Sequence, residues 1–290
     1  MGFEYLTNVP LAQARKEYLE RLVSGGFGSK TETIPVFESC GRVTAKAVYA
    51  HICAPHYAAS AMDGVAVSAK ETFGATETTP VTLKPDQFLV LDTGDPIPED
   101  KDAVIMVEDI VKNGDGSITI HAAAAPWQHI RQIGEDVCAG EMILPSHMTV
   151  SPAAIGAMIA GGVLEIEVIR KPVVGIIPTG DEIIPPCTDP KPGDILEFNG
   201  SIFSAMVRSW GAEAVVYPIV PDKFNQIKEM VAKAADECDM VILNAGSSAG
   251  REDFSARVIR ELGEVLYHGI AIKPGKPAIL GSFICSEIFK

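Results

Sequence analysis

The sequence predicts an α/β fold, a doubly wound parallel sheet, combined with an all-β region, and three observations carry that prediction. After Lys171-Pro172, strand-like and helix-like segments alternate to about residue 270. Such alternation implies right-handed crossovers and a parallel sheet. From Thr33 to about Val168, short β-branched runs are separated by Gly, Pro and Asp, which is the texture of an all-β region. Ahead of both, residues 10–24 place Leu11, Ala14, Tyr18, Leu19 and Leu22 at helical spacing, with Lys16, Glu17, Glu20 and Arg21 between them. Gly25-Gly26 ends that amphipathic helix.

Within the β-rich stretch the runs VAVSA, PVTL, FLVL, AVIMVEDIV and SITIHA read as strands. One helix interrupts them. Ser151-Pro152 supplies an N-cap and a first-turn proline for AAIGAMIA, and Gly161-Gly162 closes it. In the α/β part VVGIIPT is a short buried strand, SIFSAMVRSWG a helix with a glycine stop, and AVVYPIV a strand. The helix around FNQIKEMVAKAADE, the strand DMVILNA, the helix EDFSARVIRELG and the strand EVLYHGI follow. Doubly wound sheets bind ligands at the carboxyl ends of their strands. That rule brings three loops together: Pro178–Glu182, Pro221-Asp222 and Ala245–Asp253.

Composition narrows the function. At 290 residues the chain has room for two or three domains, and its 47% hydrophobic and 21% charged shares are ordinary for a globular protein. A formal net charge of −14 repels nucleic-acid phosphates, so no nucleic-acid partner is expected. An anionic substrate is admissible only where a metal or a few lysines reverse the local field. The six cysteines are scattered without a C-x-x-C pair, which argues against a zinc site or a disulfide framework. No apolar run reaches signal-peptide or membrane-spanning length, so a cytoplasmic protein without membrane contact is expected. The six histidines lack metal-ligand spacing, and neither a G-x-S-x-G elbow nor a P-loop occurs.

Several polar segments have the residue types that chemistry needs. Ala245–Gly250 lies between a strand and a helix, where Gly246, Ser247, Ser248 and Gly250 would let backbone N–H groups approach an anion. Read alone, it also fits a flexible turn. Thr179-Gly180-Asp181-Glu182 offers two carboxylates at a strand end, enough for Mg²⁺ with waters and phosphate oxygens, or equally a solvated acidic turn. Lys273-Pro274-Gly275-Lys276-Pro277 sets two ammonium groups in a stiff loop, as an anion clamp or a plain surface loop. The β-rich stretch adds the polar turns Ser60–Gly64, Asp92–Asp95 and Gly134–Asp136.

In this order the segments resemble the molybdopterin molybdenumtransferase family, whose members include MoeA and the gephyrin E domain. The string runs SAMDG, TG-x-P-x-P from Thr93 to Pro98, R-x-x-GED from Arg131 to Asp136, then TGDE. It continues through Gly193–Asn199, Pro221-Asp222, the glycine–serine loop ending at Asp253, and KPGKP. The resemblance implies a doubly wound domain from residues 1–26 and 171–290, a linking domain from 27–50 and 141–170, and an inserted β-rich domain over 51–140. It implies insertion of molybdate into adenylylated molybdopterin, with release of AMP and dependence on a divalent cation, taken as Mg²⁺. Molybdate and a pyrophosphate-bearing pterin repel each other by about 4 kcal/mol per pair of unit charges at 4 Å in an effective dielectric near 20. A carboxylate-held Mg²⁺ and the two lysines would offset that repulsion.

Carried over residue by residue, the resemblance makes Asp181, Glu182 and Asp253 metal ligands, gives Asp222 a role in metal or cofactor binding and Asn199 one in cofactor binding, and has Gly246, Ser247, Ser248 and Gly250 cradle the pterin phosphate. Asp63, Thr93, Asp136, Asp253, Lys273 and Lys276 become catalytic, with Asp63, Thr93 and Asp136 coming from the partner subunit of a homodimer. Other cofactor-assembly proteins are further expected partners. This sequence departs from the family pattern at Ala245, at Ser247, and at Val90-Leu91-Asp92, where an arginine is usual. The usual closing strand and C-terminal β domain are expected to be missing after KPGKP. That motivates an alternative, a truncated pterin-binding or scaffold homologue without turnover. A nucleotide pyrophosphatase of the competence-damage type shares TGDE-like stretches but lacks SAMDG and the GED turn.

Overall fold

A computed structural model describes residues 9–245 and 254–283. The chain divides into two compact units, one from residues 1–30 and 170–290, the other from 31–169.

The 31–169 unit is β-rich and has separate apolar cores. Its outer ribbon pairs Thr31–Pro35 antiparallel with Glu165–Ile169, Ile34 lying opposite Ile166. Val36, Val48, Val150, Met158, Val163, Ile166 and Val168 form the core beneath it. The helix Pro152–Ala160 packs there, with Ser151 Oγ accepting from Ala154 N at 3.2 Å and Gly161 at its carboxyl end. Both signals had been visible in the sequence.

Further along, Gly64–Val67 is the middle of a three-stranded antiparallel sheet, between Phe88–Leu91 and Ala103–Met106. Because side chains alternate across a strand, Val65 and Val67 enter one core with Leu83, Ile105, Ile118 and Ile120. Ala66 enters another, with Leu91, Val104 and Ile130. A second antiparallel sheet, in the order Val81–Leu83, Ile118–Ile120, Ile110–Lys112, closes the first of these cores.

In the other unit the central strand Val173–Pro178 is flanked in parallel by Glu213–Val216 and Met240–Asn244. Helices Asn199–Ser209, Phe224–Glu237 and Phe254–Leu262 occupy the intervening or following segments. Ile177, Tyr217, Val220, Ile227, Val231, Ala234 and Val258 make the core. The N-terminal helix spans Leu11–Ser24, and Val9 bridges Ile270 in parallel.

One expectation needs correcting. The strand read from EVLYHGI, observed as Gly263–His268, pairs antiparallel with Ile279–Phe283. The connection from Gly269 to Ala278 is shorter than the dozen or more residues a parallel crossover needs, so the chain turns back on itself. The strand read from AVVYPIV also ends early, at Val216, and parallel bridging resumes at Val220. The five cysteines among the described residues are free thiols. Among those residues, too, no helix is long and apolar enough to cross a membrane.

Candidate functional site at the strand ends

Hydrogen bonds bring the carboxyl ends of the parallel strands together. Thr179 donates through its backbone N to Asn244 O at 2.9 Å and through Oγ1 to the same oxygen at 3.2 Å. Gly180 N donates to Val220 O at 3.1 Å. The strand ends at Pro178, Val220 and Asn244 are therefore neighbours, while residues 246–253, which follow the last of them, lie outside the described residues.

At their meeting point Asp222 N donates to Asp181 Oδ1 at 3.1 Å. Partial desolvation, and then the charges of Asp181 and Glu182, raise the Asp222 carboxyl above the usual aspartate value. Like charges brought close together have this effect. Asp181 and Glu182 are exposed. Their turn depends on Gly180, whose φ is +144° and where an added Cβ would lie 2.6 Å from Ile183 Cγ1.

Beside the acidic pair lies a cavity of about 580 Å³, lined by Gly180, Asp181, Pro185, Glu197, Tyr217 and Pro221 among others. A short parallel ladder, Ile183-Ile184 with Ile195-Leu196, forms its rim. Asn199 opens the helix that follows, and Glu197 Oε1 accepts from Gly200 N at 2.6 Å, satisfying a first-turn donor.

Glu197 and Tyr217 were not singled out from the sequence. Burial raises the Tyr217 phenol, which donates to Glu237 Oε2 at 2.7 Å. Glu197 three residues before a helical glycine was a usable capping signal. Tyr217, between a strand and Pro218, carried none.

The fit to Mg²⁺ is specific in kind. Among the described residues no cluster of three or more His, Cys, Asp or Glu could cage a metal. Mg²⁺, however, commonly takes one or two carboxylates and completes its octahedron with waters and phosphate oxygens. The Asp181–Asp222 pair suits that mode. Asp253, the third expected ligand, lies outside the described residues, as do Gly246, Ser247, Ser248 and Gly250. Lys273 and Lys276 are exposed in the turn between the antiparallel strands, where Ile270 N donates to the Lys276 carbonyl. Neither lysine has an ion-pair partner among the described residues.

In the β-rich unit two of the expected residues meet. Asp63 Oδ1 accepts from Thr93 N at 2.7 Å and from Thr93 Oγ1 at 2.8 Å, which holds its carboxyl below the usual range. Gly64 must be glycine, because a Cβ there would sit 2.0 Å from Ile105 O. Asp136 is held separately, both its oxygens accepting from Arg131 at 2.6 Å. Among the described residues no hydrogen bond or ion pair joins the two pairs, and they follow opposite ends of the ladder between Ala59-Ser60 and Ile130-Arg131.

A doubly wound unit with an acidic strand-end site beside an open cavity, carried together with a β-rich unit, defines a class of two-part α/β proteins with their pocket at the strand ends. The comparisons narrow that class. Residues 9–162 match the family described as the MoeA N-terminal region (domain I and II), and residues 175–288 the "Probable molybdopterin binding domain". A molybdopterin molybdenumtransferase of Haemophilus influenzae is 32% identical, the match covering 93% of this chain and 69% of that one. Molybdopterin molybdenumtransferase 2 of Mycobacterium tuberculosis is 33% identical over 86% of this chain and 67% of its own. A solved molybdopterin biosynthesis MoeA protein of Pyrococcus horikosii superposes with a TM-score of 0.80 at 32% identity, covering 96% of this chain and 72% of that one. The chain belongs to the MoeA, or molybdopterin molybdenumtransferase, family of molybdenum cofactor biosynthesis.

Proposed function

We propose that the strand-end site binds the adenylylated pterin and inserts molybdate into it, releasing AMP in a reaction that depends on a divalent cation. The observation that supports this reading best is the raised carboxyl of Asp222 beside Asp181, an acidic pair suited to a cation at the mouth of a cavity. Asp181, Glu182, Asp222 and Asp253 would hold Mg²⁺, which when bound would neutralise phosphate charge and polarise the bond to the leaving AMP. Lys273 and Lys276 would attract the anions, and the loop of Gly246, Ser247, Ser248 and Gly250 would cradle the phosphate by its backbone N–H groups. Asn199, at a helix N-terminus, would orient the same group.

In this reading Asp63, Thr93 and Asp136 act from the second subunit of a homodimer, in a cytoplasmic assembly with other cofactor-building proteins. The β-rich unit would comprise a linking domain, residues 27–50 and 141–170, and an inserted domain, residues 51–140. Their separate cores support that division. The non-catalytic scaffold reading is not favoured, since the matched relatives bear the transferase name over most of both chains.

The test is incubation of the purified chain with adenylylated molybdopterin, molybdate and Mg²⁺, followed by chromatography of AMP. AMP should appear with Mg²⁺ and fall at least tenfold with Asp222→Asn. A folded chain that binds the pterin and releases no AMP would remove the proposal.

A further inference from the structure

Two cysteines face each other across the neck of the β-rich segment. Ala54 N donates to Val137 O at 2.8 Å, and Val137 N donates back to Ala54 O at 3.2 Å. Ala54 and Val137 are thus a hydrogen-bonded antiparallel pair. The next pair outward is Cys53 with Cys138, at a non-hydrogen-bonded position. Cα atoms of such pairs lie about 4.5–5.5 Å apart, inside the window that a disulfide spans.

The sulfurs have followed the backbones. A methyl group placed on Gly134 would lie 2.8 Å from Cys138 Sγ and 3.7 Å from Cys53 Sγ. Only a glycine leaves that space open. Ala139 N donates to Cys53 Sγ at 3.4 Å, and Cys138 Sγ donates to Gly134 O at 3.4 Å. Cys138 is exposed and Cys53 half-buried, so the first is open to attack and the second is positioned to resolve.

We propose that Cys53 and Cys138 form a thiol–disulfide modification site whose partner is a small-molecule disulfide. The Cys138 thiolate attacks one sulfur of the incoming disulfide, forming a mixed disulfide and releasing one thiolate. The Cys53 thiolate then attacks the Cys138 sulfur and expels the second. Two protein thiols are oxidised, one external disulfide is reduced to two thiols, and the two protein protons pass to the leaving thiolates.

The bond would join the two chain passages that bound residues 54–137, closing nearly the whole inserted β-rich segment into one covalent loop. Closure of a loop that long constrains the unfolded chain strongly. It would also end the Cys138 hydrogen bond to Gly134 O and so disturb the Gly134-Glu135-Asp136 turn. The last consequence bears on activity only through the proposed role of Asp136. Bond formation itself is independent of that reading.

Oxidised glutathione and the full chain test the proposal. Intact mass should fall by two hydrogens, and peptide mapping should find Cys53 joined to Cys138, with dithiothreitol restoring both thiols. Cys53→Ser should trap a glutathione adduct on Cys138. The oxidised chain should melt roughly 5 °C or more above the reduced one. Cys138→Ser should lose that shift while keeping the reduced-state melting temperature. Stable separate adducts on both cysteines, or a Cys53–Cys138 link no more abundant than links to Cys40 or Cys187, would overturn it.

Discussion

Gly180→Ala tests whether the acidic turn is set by the backbone that precedes it. At φ +144° an L side chain is strained, at a cost of about 1–3 kcal/mol. The new methyl would lie 2.6 Å from Ile183 Cγ1 and 3.1 Å from each carboxylate oxygen of Glu182. Relieving such overlap in a half-buried rim costs a further ~1–3 kcal/mol. The two terms share one relaxation, so about 3 kcal/mol is expected in total. For a unit of this size that lowers Tm by roughly 6–12 °C.

Gly193→Ala provides the control, because its φ is +102° with nothing within 4 Å of the added carbon. It should lose only the backbone part, about 1 kcal/mol. Urea unfolding followed by circular dichroism reads both. A Gly180→Ala chain within about 0.5 kcal/mol of the parent, or no worse than Gly193→Ala, would refute the reasoning.

Three further outcomes are expected. The folded Asp222 carboxyl is raised, so the stability it contributes is present below the unfolded value and lost as pH rises through the folded one. Asp222→Asn should leave the cation-free chain within about 0.5 kcal/mol of the parent at neutral pH, yet remove the Tm gain that Mg²⁺ confers, as scanning fluorimetry would reveal. Asp239 is the opposite case. Although burial works to raise its carboxyl, bonds from Val173 N, Lys30 and Arg170 leave it lowered, so its contribution is present above the unfolded value and fades as pH falls through the folded one. Asp239→Asn should cost about 2 kcal/mol at neutral pH and flatten the acid limb of a pH–stability curve. Thr93→Ala removes one of the two donors on Asp63 Oδ1 and should move that carboxyl up toward its usual value, followed by NMR titration.

Legibility in the sequence tracked how local the controlling physics is. The helix Phe224–Glu237 was readable because Ile227, Val231 and Ala234 recur at helical spacing and face one core. Ser151-Pro152 announced its helix for the same local reason. The approach of Asp181 and Asp222 lies 41 residues apart in sequence and was reachable only through the topological rule for parallel strands. Pairing direction was not local. The return of Ile279–Phe283 onto Gly263–His268 depends on a connection whose length the motif KPGKP obscured. The chain-order string of motifs did more for the family than any one turn, because SAMDG and GED each read alone as a polar turn. What those turns hold, Thr93 on Asp63 and Arg131 on Asp136, depends on the folded chain and has no local signal in the sequence.

Lys30 and Arg170 stand where the polypeptide leaves one unit and returns to it. Arg170 N donates to Lys30 O at 2.8 Å, and both side chains reach Asp239. That arrangement has a consequence for biosynthesis. The 31–169 segment can complete its own contacts while the downstream chain is still being made, whereas the opening helix meets Glu264 through Arg21 and Tyr267 through Glu17, partners translated only near the end of the sequence. Nascent chains halted far enough beyond residue 170 for that residue to have left the ribosome, but before Glu264, should therefore already protect the middle segment from protease and leave residues 9–24 open to cutting.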